Sequence, residues 1–238
     1  MKDAWEDQIS LNSFDDKGFE VEPPASTHAD MALNVPVMDD FMSPADVLSL
    51  AERDQSPIPS TSDREGYYGP NHLSYWASGL RDRLYLEKLA ADHGVALRRV
   101  LDIGCASGRV IRHFGYGGLA TEPEAIYGCD INARHIRWIQ ENLPQALIPF
   151  QTTSVPHIPL PADELDLVTA FSVFSHIEAF ESSWLMEIRR VLKPGGLLYC
   201  TIQSDHTWSA MKEGWPAYNA ASRHPNFEKE REDMPMSR

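Results

Sequence analysis

Apolar residues along the chain follow a pattern that predicts a parallel sheet with helices between its strands. Short apolar runs, each bounded by polar or turn residues, predict strands at residues 100–103, 125–129, 147–151, 165–170 and 197–202. The segments between them carry apolar residues at helical spacing, as in Leu73, Trp76, Leu80 and Leu84, or Ile136, Ile139 and Leu143. This alternation predicts the α/β class with a doubly wound, mainly parallel sheet.

The first predicted strand leads into a turn with two glycines, in the segment VLDIGCASGR at residues 100–109. Gly104 and Gly108 allow the backbone to fold back closely, and the helical pattern VIRHF follows. A helix there would direct free N–H groups at a ligand seated over residues 104–108. The spacing lacks the third glycine of a dinucleotide fingerprint and the lysine of a P-loop, which disfavours NAD and other phosphate-bearing ligands.

The second predicted strand ends at Asp130, and Asn132 is placed to cap the helix that follows. An acidic residue one βαβ unit after a glycine turn is where a carboxylate grips a ribose diol. Asp130 is therefore the strongest single candidate for ligand binding. The alternative, that Asp130 only caps the helix, stays open.

At this point the sequence resembles the class I S-adenosylmethionine-dependent methyltransferases. Four segments carry the resemblance in the usual order: VLDIGCASGR, YGCDIN, LPADELDLVTAFSVFSHI and EIRRVLKPGGLLYCTI. The family implies a Rossmann-like sheet of order 3-2-1-4-5 and S-adenosyl-L-methionine as cofactor. It also implies a set of cofactor-binding residues: Asp102, Gly104, Cys105, Ala106, Gly108, Asp130, Ile131, Ser154, Val155 and Phe171. Ser154 departs from the acidic residue that the family commonly places near the adenine.

The resemblance says less about the methyl acceptor. Tyr67, Tyr68 and Tyr75 precede the first motif, where the family commonly lines the acceptor pocket, although ordinary aromatic packing accounts for them equally well. His176 is the first candidate for a catalytic base, with His206 behind it. A histidine at the position of His176 is common across family members with very different acceptors, which favours a structural or pocket-lining role.

Charge limits the class of partner. The net charge of the chain is −14, but residues 1–65 hold 15 acidic and 4 basic side chains, leaving 20 and 17 in residues 66–238. Neither part has the basic face of a nucleic-acid binder, so no nucleic-acid partner is expected. A small-molecule acceptor is favoured over a polymer.

Cysteine and histidine usage predicts a reduced compartment without a metal site. Cys105, Cys129 and Cys200 form no C-x-x-C pair, and the nine histidines lack metal-ligand spacing. The N-terminus has no signal pattern and no apolar run is long enough to span a membrane. We therefore expect a cytoplasmic protein without a membrane partner.

The chain divides into three predicted parts. Residues 1–65 are acidic and proline-rich and are predicted to be mostly disordered, with one short helix after Ser43; residues 66–205 form the methyltransferase-like domain. Residues 206–238 are polar and are predicted to be loosely ordered. We therefore expect the domain to lack the last two strands that are usual in the family it resembles. That leaves an exposed edge on the fifth strand for self-association, and it keeps a truncated, non-catalytic binding module open as an alternative.

Overall fold

The computed structural model describes residues 18–35, 38–116, 119, 122–177 and 180–202. Its strands are β1 Val21–Pro24, β2 Pro57–Pro59, β3 Arg99–Ile103, β4 Ala125–Asp130, β5 Leu147–Gln151, β6 Leu165–Ala170 and β7 Leu192–Cys200. Its α-helices are α1 Pro44–Ala51, α2 His72–Asp92, α3 Arg112–Gly115, α4 Ala133–Asn142 and α5 Glu181–Val191. Two 3₁₀ turns lie at Ala25–His28 and Ser62–Arg64.

The main sheet has five parallel strands in the order β5-β4-β3-β6-β7. This confirms the predicted order 3-2-1-4-5, with β3 as the first strand of the Rossmann-like unit. All six residues of β6 are buried, as expected for a strand covered on both faces. Pro149 is accommodated because β5 is an outer strand, where a missing N–H costs little.

Side-chain caps fix where three helices begin. The side chains of Ser43, Asn71 and Asn132 accept hydrogen bonds from the backbone N–H groups of Asp46, Ser74 and Arg134. The predicted short helix after Ser43 and the predicted cap at Asn132 are thereby confirmed.

Two elements differ from their predicted extents. The pattern VIRHF yields only the four-residue helix α3, because Gly108 and the turn residues after it precede the first helical residue, Arg112. In the other case, β7 already begins at Leu192 and passes through Pro194-Gly195-Gly196, where a turn is expected. Gly195 has φ +83°, and the pairing with β6 is irregular between Leu165 and Leu167.

The N-terminal segment is packed where the sequence predicts disorder. We call residues 18–35 and 38–69 the N-terminal layer; β1 and β2 pair within it, and its α1 packs toward α2. The side chains of Ala25, Val47 and Ile58 are fully buried in one cluster with Trp76 and Leu80 of α2. These apolar residues are too widely spaced to show a period in the sequence, but together they bury a continuous surface. Residues 1–17 and 206–238, also predicted to be loosely ordered, lie outside the described ranges.

A buried ion pair joins the N-terminal layer to the helix after the glycine turn. The Asp54 Oδ2 atom accepts from Arg112 Nη2 at 2.8 Å, from Arg112 Nε at 2.9 Å and from Trp76 Nε1 at 2.6 Å. Asp54 and Arg112 are 2% and 0% exposed, so neither charge reaches water. Burial acts to raise the pKa of Asp54, but Arg112 and the Trp76 hydrogen bond hold it below its usual value. Across the described ranges, no helix combines the length and apolar character needed to cross a bilayer.

We predict that Asp54→Ala destabilises the protein by about 3–5 kcal/mol, since it leaves the Arg112 cation buried without a counter-charge. Urea unfolding measures the change. Asp92→Ala is the matched control, because it removes an exposed carboxylate from the Lys88–Asp92 pair and should leave the unfolding midpoint unchanged. Equal midpoints for the two variants would contradict the importance of the buried pair.

Candidate functional site

The glycine turn is fastened to the end of the neighbouring strand. The N–H groups of Gly104 and Cys105 both donate to the Cys129 carbonyl, at 2.7 and 3.1 Å. Gly104, Ala106 and Gly108 have φ values of +67°, +45° and +82°, so every second residue of the turn is left-handed. The turn is therefore held in a strained, fixed form directly beside the carboxyl end of β4.

Asp130 closes this arrangement from the β4 side. Its Oδ2 atom accepts the N–H of Ala106 at 2.9 Å, and its Oδ1 atom accepts the N–H of Asn132 at 2.8 Å. The cap of α4 is Asn132, not Asp130, so the capping alternative for Asp130 does not describe this structure. Each carboxylate oxygen retains a second lone pair for a further donor, such as a sugar hydroxyl.

Asp102 lies beneath the turn, on β3. It is 4% exposed, and its Oδ1 atom accepts the Thr169 hydroxyl at 2.6 Å. Burial raises the pKa of Asp102 to about 7, although Thr169 and Arg109 act in the opposite direction. Burial likewise raises the pKa of the Cys105 and Cys129 thiols, which therefore stay protonated and provide no thiolate nucleophile at neutral pH.

Three further predicted cofactor-binding residues, Ile131, Ser154 and Val155, lie on the neighbouring loops of the same sheet edge. Ile131 and Val155 are 38% and 40% exposed, and the Ile131 carbonyl accepts from the Gln151 side chain at 3.1 Å. Ser154 is half-buried in the loop after β5. The structure thus places these residues at the carboxyl ends of β4 and β5, with side chains accessible to a ligand.

The three candidate tyrosines have different surroundings. Tyr67 is 54% exposed and its ring lies 5.3 Å from that of Tyr68. Tyr75 is 2% exposed, so its side chain packs in the core and is not available to a substrate in this conformation. Phe171, the predicted cofactor contact after β6, lies 5.3 Å from the Tyr199 ring.

Arg109 joins this aromatic group to α2. Its guanidinium donates to the Asp82 carboxylate at 2.6 Å and lies 5.4 Å from the Tyr67 ring and 5.5 Å from the Phe171 ring. The sequence predicts a solvated or surface-paired charge here, but the side chain is only 14% exposed. Burial acts to lower the pKa of Arg109, and Asp82 raises it above its usual value. Arg109 therefore remains a cation inside the site.

His176 is the first candidate for a catalytic base. Its side chain is exposed in the turn after β6, where its backbone N–H donates to the Val173 carbonyl at 2.8 Å. The second candidate base, His206, lies outside the described residues. Among the residues that the structure describes, no group of three His, Cys, Asp or Glu side chains is arranged to hold a metal ion.

The N-terminal layer also contributes to this site, and the sequence does not predict this contribution. The Ser107 hydroxyl, inside the glycine turn, donates to the Asp63 carbonyl. The Asp63 carboxylate in turn accepts from Arg134 at 2.5 Å, so residues 60–66 cross the turn and reach the start of α4. Asp63 and Arg134 are 71 positions apart, and no local pattern in the acidic, proline-rich segment points to this contact.

The central part of the chain is similar to known methyltransferases. Residues 101–200 match a methyltransferase domain family. A probable S-adenosylmethionine-dependent methyltransferase of Mycolicibacterium smegmatis is 26% identical over 154 residues, which cover 65% of this chain and 55% of that protein. A ubiquinone biosynthesis O-methyltransferase of Roseobacter denitrificans is 30% identical over 112 residues, covering 43% and 40%.

Among solved structures, an S-adenosylmethionine-dependent methyltransferase from Aquifex aeolicus superposes with a TM-score of 0.43 at 18% identity. The match covers 55% of this chain and 68% of that one. The chain spans about half the length of the curated relatives it matches.

We predict that Gly104→Ala destabilises the protein by more than the cost of an alanine in the left-handed conformation. A Cβ at Gly104 would lie 2.5 Å from Val173 Cγ2, which must move to make room. The matched control is Gly94→Ala, at φ +68° instead of +67°, where a Cβ meets nothing within 4 Å. Both variants carry the cost of a left-handed alanine, roughly 1–2 kcal/mol. Thermal unfolding should show an additional loss only for Gly104→Ala, and equal losses would show that the contact with Val173 relaxes freely.

Proposed function

The chain belongs, through residues 101–200, to the class I S-adenosylmethionine-dependent methyltransferases, and from this premise we propose that it transfers a methyl group from S-adenosyl-L-methionine to a small-molecule acceptor. The observation that carries the proposal is the junction of the glycine turn with Asp130. Ala106 and Asp130 are joined by a 2.9 Å hydrogen bond across the ends of two adjacent parallel strands. A ligand lying over the turn would meet that carboxylate.

The hydrogen-bonding groups of this site fit S-adenosyl-L-methionine. A ribose diol supplies two hydroxyl donors, and the lone pairs of Asp130 that the backbone leaves free can accept them. The left-handed residues at 104, 106 and 108 keep the turn close to the sheet edge. The turn has neither the third glycine that a dinucleotide pyrophosphate requires nor a P-loop lysine, which disfavours NAD in the same place.

The bound cofactor supplies a methyl group that is already electrophilic on its sulfonium. The residues of the chain then contribute mainly by positioning and by excluding water. Asp130 would orient the ribose, Phe171 and the glycine turn would form apolar and backbone walls, and residues 60–66 would cover the turn. The carboxylate of Asp130 also provides negative charge beside a cationic cofactor.

The acceptor side of the site is proposed from two aromatics, the exposed Tyr67 and the half-buried Tyr68. Tyr67 and Tyr68 lie where the family commonly lines the acceptor pocket, and Tyr67 faces the Arg109 cation. An acceptor amine or thiol that arrives deprotonated needs no base. An acceptor hydroxyl would need one, and His176 is the candidate in the described residues.

Two further expectations accompany this function. We propose a cytoplasmic protein, on the cysteine usage given above, that binds no nucleic acid, on its charge pattern, and no membrane. We also propose that two copies can associate through β7, because it is the outer strand of the described sheet on that side. The division into residues 1–65, 66–205 and 206–238 is likewise a proposal, although the N-terminal layer packs onto the domain.

We predict that Asp130→Ala weakens the binding of S-adenosylhomocysteine at least tenfold. The substitution removes charge-assisted hydrogen bonds to the ribose, each worth about 1.5–3 kcal/mol, and tenfold corresponds to about 1.4 kcal/mol. Calorimetric titration of the whole chain measures the change. Because Asp130 also fastens the turn, thermal unfolding of the variant should accompany the titration.

Asp30→Ala provides the matched control, since Asp30 is exposed in the N-terminal layer and should leave the affinity unchanged. NAD should produce no comparable heat with the unaltered chain. If a folded chain binds no S-adenosylhomocysteine, methyl transfer is excluded for this chain and a non-catalytic binding module becomes the better account.

A further inference from the structure

Two histidines and an arginine meet where the N-terminal layer packs on the start of α2. The rings of His28 and His72 lie 4.6 Å apart between centroids. Arg64, from the 3₁₀ turn before α2, lies with its guanidinium 4.8 Å from the Tyr75 ring. We call His28, Arg64 and His72 the anion cluster. None of the three belongs to the proposed cofactor site.

Much of the hydrogen-bonding capacity of this cluster is unused. Arg64 is 3% exposed, and its Nη2 atom donates to the Gly69 carbonyl and, at 3.4 Å, to the Thr61 hydroxyl. The Arg64 Nε and Nη1 atoms, His72 Nδ1 and His28 Nε2 are buried without a hydrogen-bond partner in the described structure. Unpaired buried polar atoms are costly, and four in one cluster are unusual in a native protein.

Glu22, whose carboxylate lies near His72, does not satisfy these atoms. Glu22 Oε2 lies 3.8 Å from His72 Nε2 but makes no hydrogen bond to the unpaired atoms of Arg64. Burial, together with the adjacent Arg64 cation, lowers the pKa of His72, while Glu22 acts to raise it. Arg64 and His72 are thus close enough to repel each other when both are charged. A second anion between them would relieve this repulsion.

The unpaired groups suit an oxyanion in charge and in number. Arg64 Nε and Nη1 lie on different edges of the guanidinium, because Nη2 lies between them, so each can donate one N–H group to an anionic oxygen. His72 is also the first residue of α2, a helix of 21 residues, so the positive end of the helix dipole points to the same place. A cation would be repelled by Arg64, and an uncharged group would leave its charge uncompensated.

The cluster lies next to the proposed methyl-transfer site. Arg64 directly follows Asp63, whose carbonyl accepts the Ser107 hydroxyl of the glycine turn. Tyr75, against which Arg64 packs, is also close to Arg109, whose charge acts on its phenol. An acceptor held by Arg64 could therefore extend toward the turn. The cluster itself is formed by the N-terminal layer and α2, not by the strand ends that hold the cofactor.

We propose that His28, Arg64 and His72 bind the anionic group of the methyl acceptor, which is therefore a small molecule that carries a carboxylate or a phosphate. The inference rests on the proposed methyltransferase function. The Nε and Nη1 groups of Arg64 would each donate to an oxygen of the anion, and the two imidazoles would donate to the others. The same chemistry would also bind the carboxylate of the cofactor, and the experiment has to distinguish these sources.

The test is a titration of the full chain with inorganic phosphate, followed by the NMR signals of the His28 and His72 rings. His28→Gln and His72→Gln identify these signals. Both should shift and saturate at millimolar phosphate, and Arg64→Gln should weaken the phosphate affinity at least tenfold. Arg98→Gln is the matched control, because Arg98 is 68% exposed beside the first residue of β3, at the other end of the strand from the turn. It should leave the phosphate affinity unchanged.

Calorimetry with S-adenosylhomocysteine separates the two sources of the anion. We expect its affinity to change less than threefold in Arg64→Gln, whereas a tenfold loss would give the cluster to the cofactor and overturn the acceptor assignment. Failure of the two histidine signals to saturate with phosphate would overturn the site itself. If the unaltered chain binds phosphate but not S-adenosylhomocysteine, the proposed function fails and the acceptor assignment fails with it.

A second variant tests whether Arg64 has only a structural role. Arg64→Lys keeps a cation but lacks the Nε and Nη1 donors of the guanidinium, so the chain should fold and bind phosphate at least threefold more weakly. Unchanged phosphate binding in Arg64→Lys would show that these donors do not contact the anion. This variant also decides the matter if Arg64→Gln does not fold.

Discussion

The hydrogen bonds between the glycine turn and the end of β4 determine the rest of the site. Two N–H groups of the turn share the Cys129 carbonyl, and a third, from Ala106, reaches the Asp130 carboxylate. Because β3 and β4 are adjacent and parallel, these bonds set the turn and the acid at fixed positions on one sheet edge. The left-handed conformations at residues 104–108 are tolerated because these bonds and the buried strands hold them.

The N-terminal layer depends on the same turn. Its Asp54 pairs with Arg112, just after the turn, and its Asp63 receives the Ser107 hydroxyl within it. A segment with a strong negative charge is therefore held by partners within the turn and just after it. The layer closes the site on one side and places the unpaired donors of Arg64 beside it. We therefore propose that the cofactor, residues 60–66 and the methyl acceptor all lie at the glycine turn.

The sequence predicts the sheet well because buried parallel strands read as continuous apolar runs. The five main strands, the cap at Asn132 and the end of α2 before Gly94 all follow from local signals. The N-terminal layer does not, since β1 and β2 are the proline-rich segments VEPP and PIP and pair across more than 30 positions. The sequence predicts a solvated or surface-paired charge at Arg109, but the side chain is largely buried with Asp82, which lies on another element, 27 positions away. Pairings of this kind depend on tertiary packing, which no sequence period records.

The central claim is that a nucleoside lies over the glycine turn with its ribose on Asp130. A crystal structure of the chain with S-adenosylhomocysteine tests this most directly. The account predicts density over residues 104–108, with both ribose hydroxyls within about 3.2 Å of the Asp130 carboxylate. Well-ordered S-adenosylhomocysteine at another place, or over the turn with Asp130 contacting only the backbone, would contradict it.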